Sequence, residues 1–193
     1  MLRATGAFSF SSVFEKDGVK VTVETGYPND GTLKITSNAP VYVRIPGWCR
    51  KFKTDKPHVM VNGYAKFEAG EVTVEFEMKP ELIAGSVKIV KNLGKCAVRR
   101  GPVVYCAEGC DNDGDVHTLY VDRGTIAQAK TEYCDLCGCM DLTLDGFRRV
   151  DTASDSLYTP LEENYIPAQV KMIPYYAFAN RGETDMLVWM NYR

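Results

Sequence analysis

Apolar and polar residues alternate with a period of two through most of the first hundred positions. Val19, Val21 and Val23 are separated by Lys20, Thr22 and Glu24, the pattern of a strand with one face buried and the other in water. Leu33 and Ile35 resume it after Asn29, Asp30 and Gly31, where the Asp-Gly step favours a turn. Val41, Val43 and Ile45 alternate with Tyr42 and Arg44 and then meet Pro46 and Gly47. Proline has no N–H to give a ladder, so a strand is expected to stop there. Val59, Met60 and Val61 run into Asn62 and Gly63, a short hairpin signal. Residues 71–78 alternate again before Pro80, and 87–90, 96–98 and 103–107 continue the series. No segment keeps a 3.6-residue period for the length of a helix. About eight short strands punctuated by turn residues predict an all-β chain built as an antiparallel β-sandwich.

The texture changes after residue 110. Asp111, Asn112, Asp113, Gly114 and Asp115 form a polar break; strand-like pieces resume at 118–121 and 142–144, and 150–168 reads as loop. Met186 to Met190 is apolar again, which predicts a buried strand returning to pair with an earlier sheet. The expected organisation is a β-sandwich over residues 1–110, completed by a returning strand at 185–193. A smaller sandwich-like β lobe is expected over residues 111–184.

Composition narrows the functional classes. Hydrophobic residues make up 45% of the 193 residues, enough for a buried core. A net charge of -2 lacks the basic face that nucleic acid requires. No apolar run approaches the roughly 18 residues of a membrane span, so neither nucleic acid nor membrane is an expected partner. Residues 1–10 carry one cation and no long apolar stretch, a poor match to an export leader. Seven cysteines cannot all pair within one chain. Reduced thiols in a cytoplasmic setting are the expectation.

Cys134, Cys137 and Cys139 form the densest cluster of reactive side chains. A Cys-x-x-Cys pair can hold zinc or exchange disulfides, and Cys110 with Cys106, or His117, could complete four ligands. The redox reading expects a βαβ unit around the motif, and the pattern offers none. Ordinary thiols are therefore expected, with no metal and no cofactor; Cys110, Cys134, Cys137 and Cys139 remain the candidate ligands should a metal bind. The two histidines, His58 and His117, suggest no Ser-His-Asp arrangement. Glu71, Glu75 and Glu77 share the outward face of one alternating strand, as a solvated sheet face would. Trp48, in a Pro-Gly-Trp-Cys turn, and Tyr64, just after the Asn-Gly pair, are the candidates for stacking on a sugar ring. The other large aromatics are assigned to packing between sheets.

Four stretches in this order carry a resemblance. They are Tyr27 to Gly31, Val43 to Cys49 followed by Val61-Asn-Gly, Arg99 to Glu108, and Ile173 to Gly182 with Met186 to Trp189. Together they resemble the C-terminal region of glycoside hydrolase family 127, the β-L-arabinofuranosidases. Asn29 stands where that family usually has tryptophan. The resemblance implies a β-sandwich region that follows an N-terminal (α/α)6 barrel. The barrel bears the acid/base glutamate and a zinc-bound nucleophilic cysteine, held by a Glu-x-Cys motif and an adjacent Cys-Cys pair. This sequence has no Cys-Cys step, so none of its cysteines inherits those roles, and no catalytic residue is assigned. The function implied is a non-catalytic accessory module of such an enzyme. Its partner would be its own or a separately encoded catalytic barrel, and a homodimer would also cover the exposed surface. The alternative is a carbohydrate-binding module with Trp48 and Tyr64 on an exposed aromatic platform for a glycan. An enzyme acting on its own and a zinc-stabilised interaction domain stand further back.

Overall fold

The computed structural model describes the backbone of residues 3–4, and residues 12–135, 138–151 and 156–193. Among them, strands alternate with short 3₁₀ turns and there is no α-helix, so the chain is all-β, as the alternation predicts. It divides into two compact units, Met1–Lys79 and Pro80–Arg193.

The first unit is a two-sheet sandwich. One sheet joins β1 (Arg3–Ala4), β5 (Val41–Arg44), β8 (Tyr64–Phe67) and β7 (Val59–Val61) in that order. The other runs β2 (Ser12–Lys16), β3 (Val19–Thr25), β4 (Thr32–Ser37), β9 (Gly70–Phe76) and β6 (Phe52–Thr54). Alternation sends Val21, Val23, Ile35, Val72 and Val74 inward from the second sheet to meet Val41, Val43, Ala65 and Phe67 of the first. Each such valine, isoleucine or phenylalanine, fully buried, contributes on the order of 1.5–3 kcal/mol. Two hairpins are tied by left-handed pairs: Asp17 and Gly18 (φ 51° and 75°) and Asn62 and Gly63 (φ 49° and 81°). Positive φ at both central positions matches the right-handed twist of the flanking strands. It sets the register Lys16 opposite Val19 and Val61 opposite Tyr64.

The second unit contains β10 (Pro80–Ala84), β11 (Lys95–Arg100), β12 (Val103–Glu108), β13 (Leu119–Val121), β14 (Lys130–Cys134), β15 (Cys139–Arg149), β16 (Tyr165–Pro174), β17 (Met186–Leu187) and β18 (Met190–Tyr192). The order is β10-β11-β18-β13-β15-β16-β12-β17, with β14 beside β15 and an additional β11–β12 pairing. That additional pairing closes β11, β18, β13, β15, β16 and β12 into a ring. Inside it lie Val98, Val103, Tyr105, Leu119, Val121, Leu142, Leu144, Val170, Met172 and Met190. The buried Tyr105 hydroxyl donates to the Met140 carbonyl at 2.9 Å, which spares the core an unpaired polar group. A Cβ at Gly146 would lie 2.3 Å from the Tyr120 carbonyl oxygen, so glycine is what lets β13 approach β15.

The division falls at 79/80 rather than near 110, and the second unit is the larger. A period of two tells which face of a strand is buried but not which strand lies beside it. Residues 95–108, expected in the first sandwich, pair instead with β10, β16, β17 and β18. The last strand does return to an earlier one, with Met190 opposite Cys96, but within the second unit. The strand expected at 87–90 is absent. The Ile89 N–H is spent on the Ser86 carbonyl, the Asn92 N–H on Ile89 and the Leu93 N–H on Val90. The chain is thus coiled into turns that leave Val87, Ile89, Val90 and Leu93 exposed.

Candidate functional site

In the first unit, Trp48 follows β5 and packs against the sandwich core. Its ring stacks on buried Tyr27 (centroids 6.3 Å apart, planes at 20°) and meets Phe76 edge-on at 5.9 Å. The turn that carries Tyr27 is built locally. The Asn29 N–H donates to the Gly26 carbonyl at 2.8 Å, and the Asp30 carboxylate accepts from the Thr32 N–H at 2.7 Å. Burial, outweighing a side-chain hydrogen bond with Trp48, pushes the Tyr27 hydroxyl above its usual range. Tyr64 sits in β8 with its neighbour Ala65 fully buried, so alternation turns Tyr64 to the opposite, outer face. There it is opposite Arg44 of β5 and Val61 of β7. Trp48 therefore packs on the sandwich core, whereas Tyr64 lies on the outer face of the sheet that holds β8.

The second unit holds an ionic cluster that spacing does not announce. Glu108 ends β12 and is 1% exposed; Gly109, Cys110 and Asp111 then form a 3₁₀ turn. Arg181 reaches back from the segment after β16. Its Nη1 donates to Asp111 Oδ1 at 2.8 Å, and its Nη2 donates to Asp111 Oδ2 and to Glu108 Oε2. The Ala179 N–H donates to Glu108 Oε1 at 2.8 Å. Lys171 lies 3.7 Å from Asp111. Asn112, also buried, gives its amide to the Glu108 and Lys171 carbonyls and accepts the Lys171 N–H. The bonds from Asp111, followed by Glu108, hold the Arg181 guanidinium more firmly charged than usual against the opposing effect of burial. Every oxygen of the two carboxylates thus has a donor, and the cluster ties residues 179–181 to the end of β12.

Glu108, Cys110 and Asp111 also place potential metal ligands within 4.8 Å of one another, the one such group among the described residues. Arg181 already occupies both carboxylates, so the group fits an ion pair better than a metal. Of the other candidate ligands, Cys134 and Cys139 lie at the turn end of the β14–β15 hairpin, in no such group with Cys110. Cys137 falls outside the described residues. Burial pushes the thiols of Cys96 and Cys106 up, to about 11 and about 12, so both stay protonated at neutral pH. A brief iodoacetamide pulse at pH 8 on the native protein is expected to label exposed Cys110 well ahead of Cys96 and Cys106. Equal labelling read by mass spectrometry would contradict that burial.

The four sequence stretches singled out above thus meet in two pairs. Tyr27 of the first stacks on Trp48 of the second, and the third and fourth join through Cys106 opposite Ile173 and through Glu108 with Arg181. These features define an all-β module whose recognisable motifs are its internal fastenings. Residues 80–191 match the glycoside hydrolase family 127 C-terminal domain, and the chain belongs to that family. It is 32% identical to the non-reducing end β-L-arabinofuranosidase of Bifidobacterium longum, over 89% of this chain and 30% of that protein. Among solved structures, it resembles a family 127 β-L-arabinofuranosidase from Geobacillus stearothermophilus T6 with a TM-score of 0.80 and 34% identity, over 95% of this chain and 32% of that one. A second family 127 β-arabinofuranosidase matches with a TM-score of 0.75 and 26% identity, over 95% of this chain and 33% of that one. The chain spans about a third of the length of these relatives. No helix among the described residues is long and apolar enough to cross a membrane.

Proposed function

We propose that the chain is a non-catalytic β-module of a β-L-arabinofuranosidase-like enzyme. It would brace a catalytic barrel that lies in the same polypeptide or in a separately encoded one. The observation that carries this reading is the match to the family's C-terminal domain by a chain spanning only about a third of its relatives. Two further features support it. The carboxylates of Glu108 and Asp111 are engaged by Arg181, which leaves neither of these two free to protonate a leaving group or attack a sugar. The same unit exposes Val87, Ile89, Val90 and Leu93 in one short segment and Tyr175, Tyr176 and Phe178 in another. Apolar surface of this kind is usually covered by another protein surface.

The test is to assay the purified chain on an aryl β-L-arabinofuranoside and to ask whether it co-purifies with a family 127 barrel. No turnover by the chain alone, with stable association, is expected; turnover by the chain alone would overturn the reading. Trp48→Ala separates this reading from a glycan platform. Losing a half-buried ring that packs on Tyr27 and Phe76 is expected to destabilise the first unit by about 2–3 kcal/mol, below the cost for a fully buried tryptophan. Retention on arabinan affinity gels is expected to stay unchanged. Retention lost on Trp48→Ala without loss of stability would favour the platform instead.

A further inference from the structure

Cys134 and Cys139 are directly opposed in the antiparallel β14–β15 hairpin, the last pair before its turn. The Gly138 N–H closes that turn onto the Cys134 carbonyl at 2.8 Å. Directly opposed residues have Cα atoms about 4.5–5.5 Å apart and project from the same face of the sheet. A disulfide needs Cα atoms about 4.4–6.8 Å apart and Cβ atoms near 3.5–4.5 Å, so register alone brings the two sulfurs within bonding reach after a small adjustment. Both residues are thiols in this structure. They differ in access: Cys134 is partly exposed, whereas Cys139 is buried beside Cys106 and Ile173.

We propose that Cys134 and Cys139 form a cross-strand redox pair that closes to a disulfide when the chain meets a small-molecule disulfide oxidant such as oxidised glutathione. The partly exposed Cys134 thiolate attacks the oxidant, forming a mixed disulfide and expelling one glutathione thiolate. The Cys139 thiolate then attacks the Cys134 sulfur, forming the protein disulfide and expelling the second. The two protons lost by the cysteines end on the two glutathione thiols, so two protein thiols are oxidised as one glutathione disulfide is reduced. The Cys139 thiol donates to Asp141 Oδ1 at 3.8 Å, which gives its proton a nearby acceptor.

Cys137 is the competing thiol, and the experiment is built around it. Trypsin cuts after Lys130 and Arg148, which places Cys134, Cys137 and Cys139 in one peptide. The chain and its Cys137→Ser and Cys134→Ser variants are incubated with oxidised glutathione, denatured under acid, counted for thiols and digested without reductant. Glutathione taken up by exposed Cys110 falls in another tryptic peptide, so the reading is the peptide between Lys130 and Arg148. In the unsubstituted chain and in Cys137→Ser that peptide is expected to carry an internal link, and in Cys137→Ser it loses two hydrogen masses without gaining glutathione; in Cys134→Ser that internal link is absent. If Cys137→Ser keeps both thiols, or ends as a lasting glutathione adduct on Cys134, the pair is not poised as proposed. Persistence of an internal link in Cys134→Ser would assign the chemistry to Cys137 and likewise overturn it.

Discussion

Arg181→Ala is expected to destabilise the second unit by about 3–5 kcal/mol, the range for removing one partner of a buried ion pair. The substitution leaves the Glu108 carboxylate, 1% exposed, without its charged donor, and Asp111 close by with only Lys171 at 3.7 Å. Coulomb repulsion and desolvation then act together on the same two groups. Arg181→Lys keeps the charge but cannot present two parallel N–H groups to Asp111, so an intermediate loss is expected. Urea titration followed by intrinsic fluorescence and far-UV circular dichroism measures both. If Arg181→Ala unfolds within about 0.5 kcal/mol of the unsubstituted chain, as a neutral surface change would, the clamp is not what holds residues 179–181 in place.

The second large effect is expected at Leu142, fully buried within the strand ring. Leu142→Ala removes the branched end of the side chain and leaves a cavity walled by strands already fixed in register on both sides. A loss of about 2–5 kcal/mol follows, depending on how far the neighbours collapse. Val87→Ala is the matched control: Val87 is 79% exposed, and a change within about 0.5 kcal/mol is expected. Comparable losses in the two variants would mean that the ring interior is not packed as described.

Strand identity was legible wherever alternation was long and punctuated. Residues 19–25, 32–37, 41–44 and 71–76 were readable because each carries its own inward face and its own stop. The Asn62-Gly63 hairpin was readable because only a few residue pairs tolerate two positive φ values in succession. β2 (Ser12–Lys16) is not legible although Asp17 and Gly18 offer the same signal, because its residues are mostly exposed and alternate weakly. Pairing was not legible: nothing in residues 95–100 states that their neighbours are 80–84 on one side and 190–191 on the other. The Glu108–Arg181 contact spans 73 residues, and no local period encodes it. One clue was present, a charged residue ending the apolar run that begins at Val103. A carboxylate entering a core has to find a cation. The stacking of Trp48 on Tyr27 is not legible for a related reason, since the two lie in different turns.

The ring closes only through Met190–Tyr192, which lie between Lys95–Arg100 and Leu119–Val121. During synthesis, residues 95–100 and 119–121 leave the ribosome long before the segment that will separate them. For that interval the two strands have vacant backbone donors and acceptors facing the gap, and such edges invite pairing with another chain. A nascent polypeptide stalled before residue 190 would therefore be an aggregation hazard, even with most of its core residues already outside the tunnel.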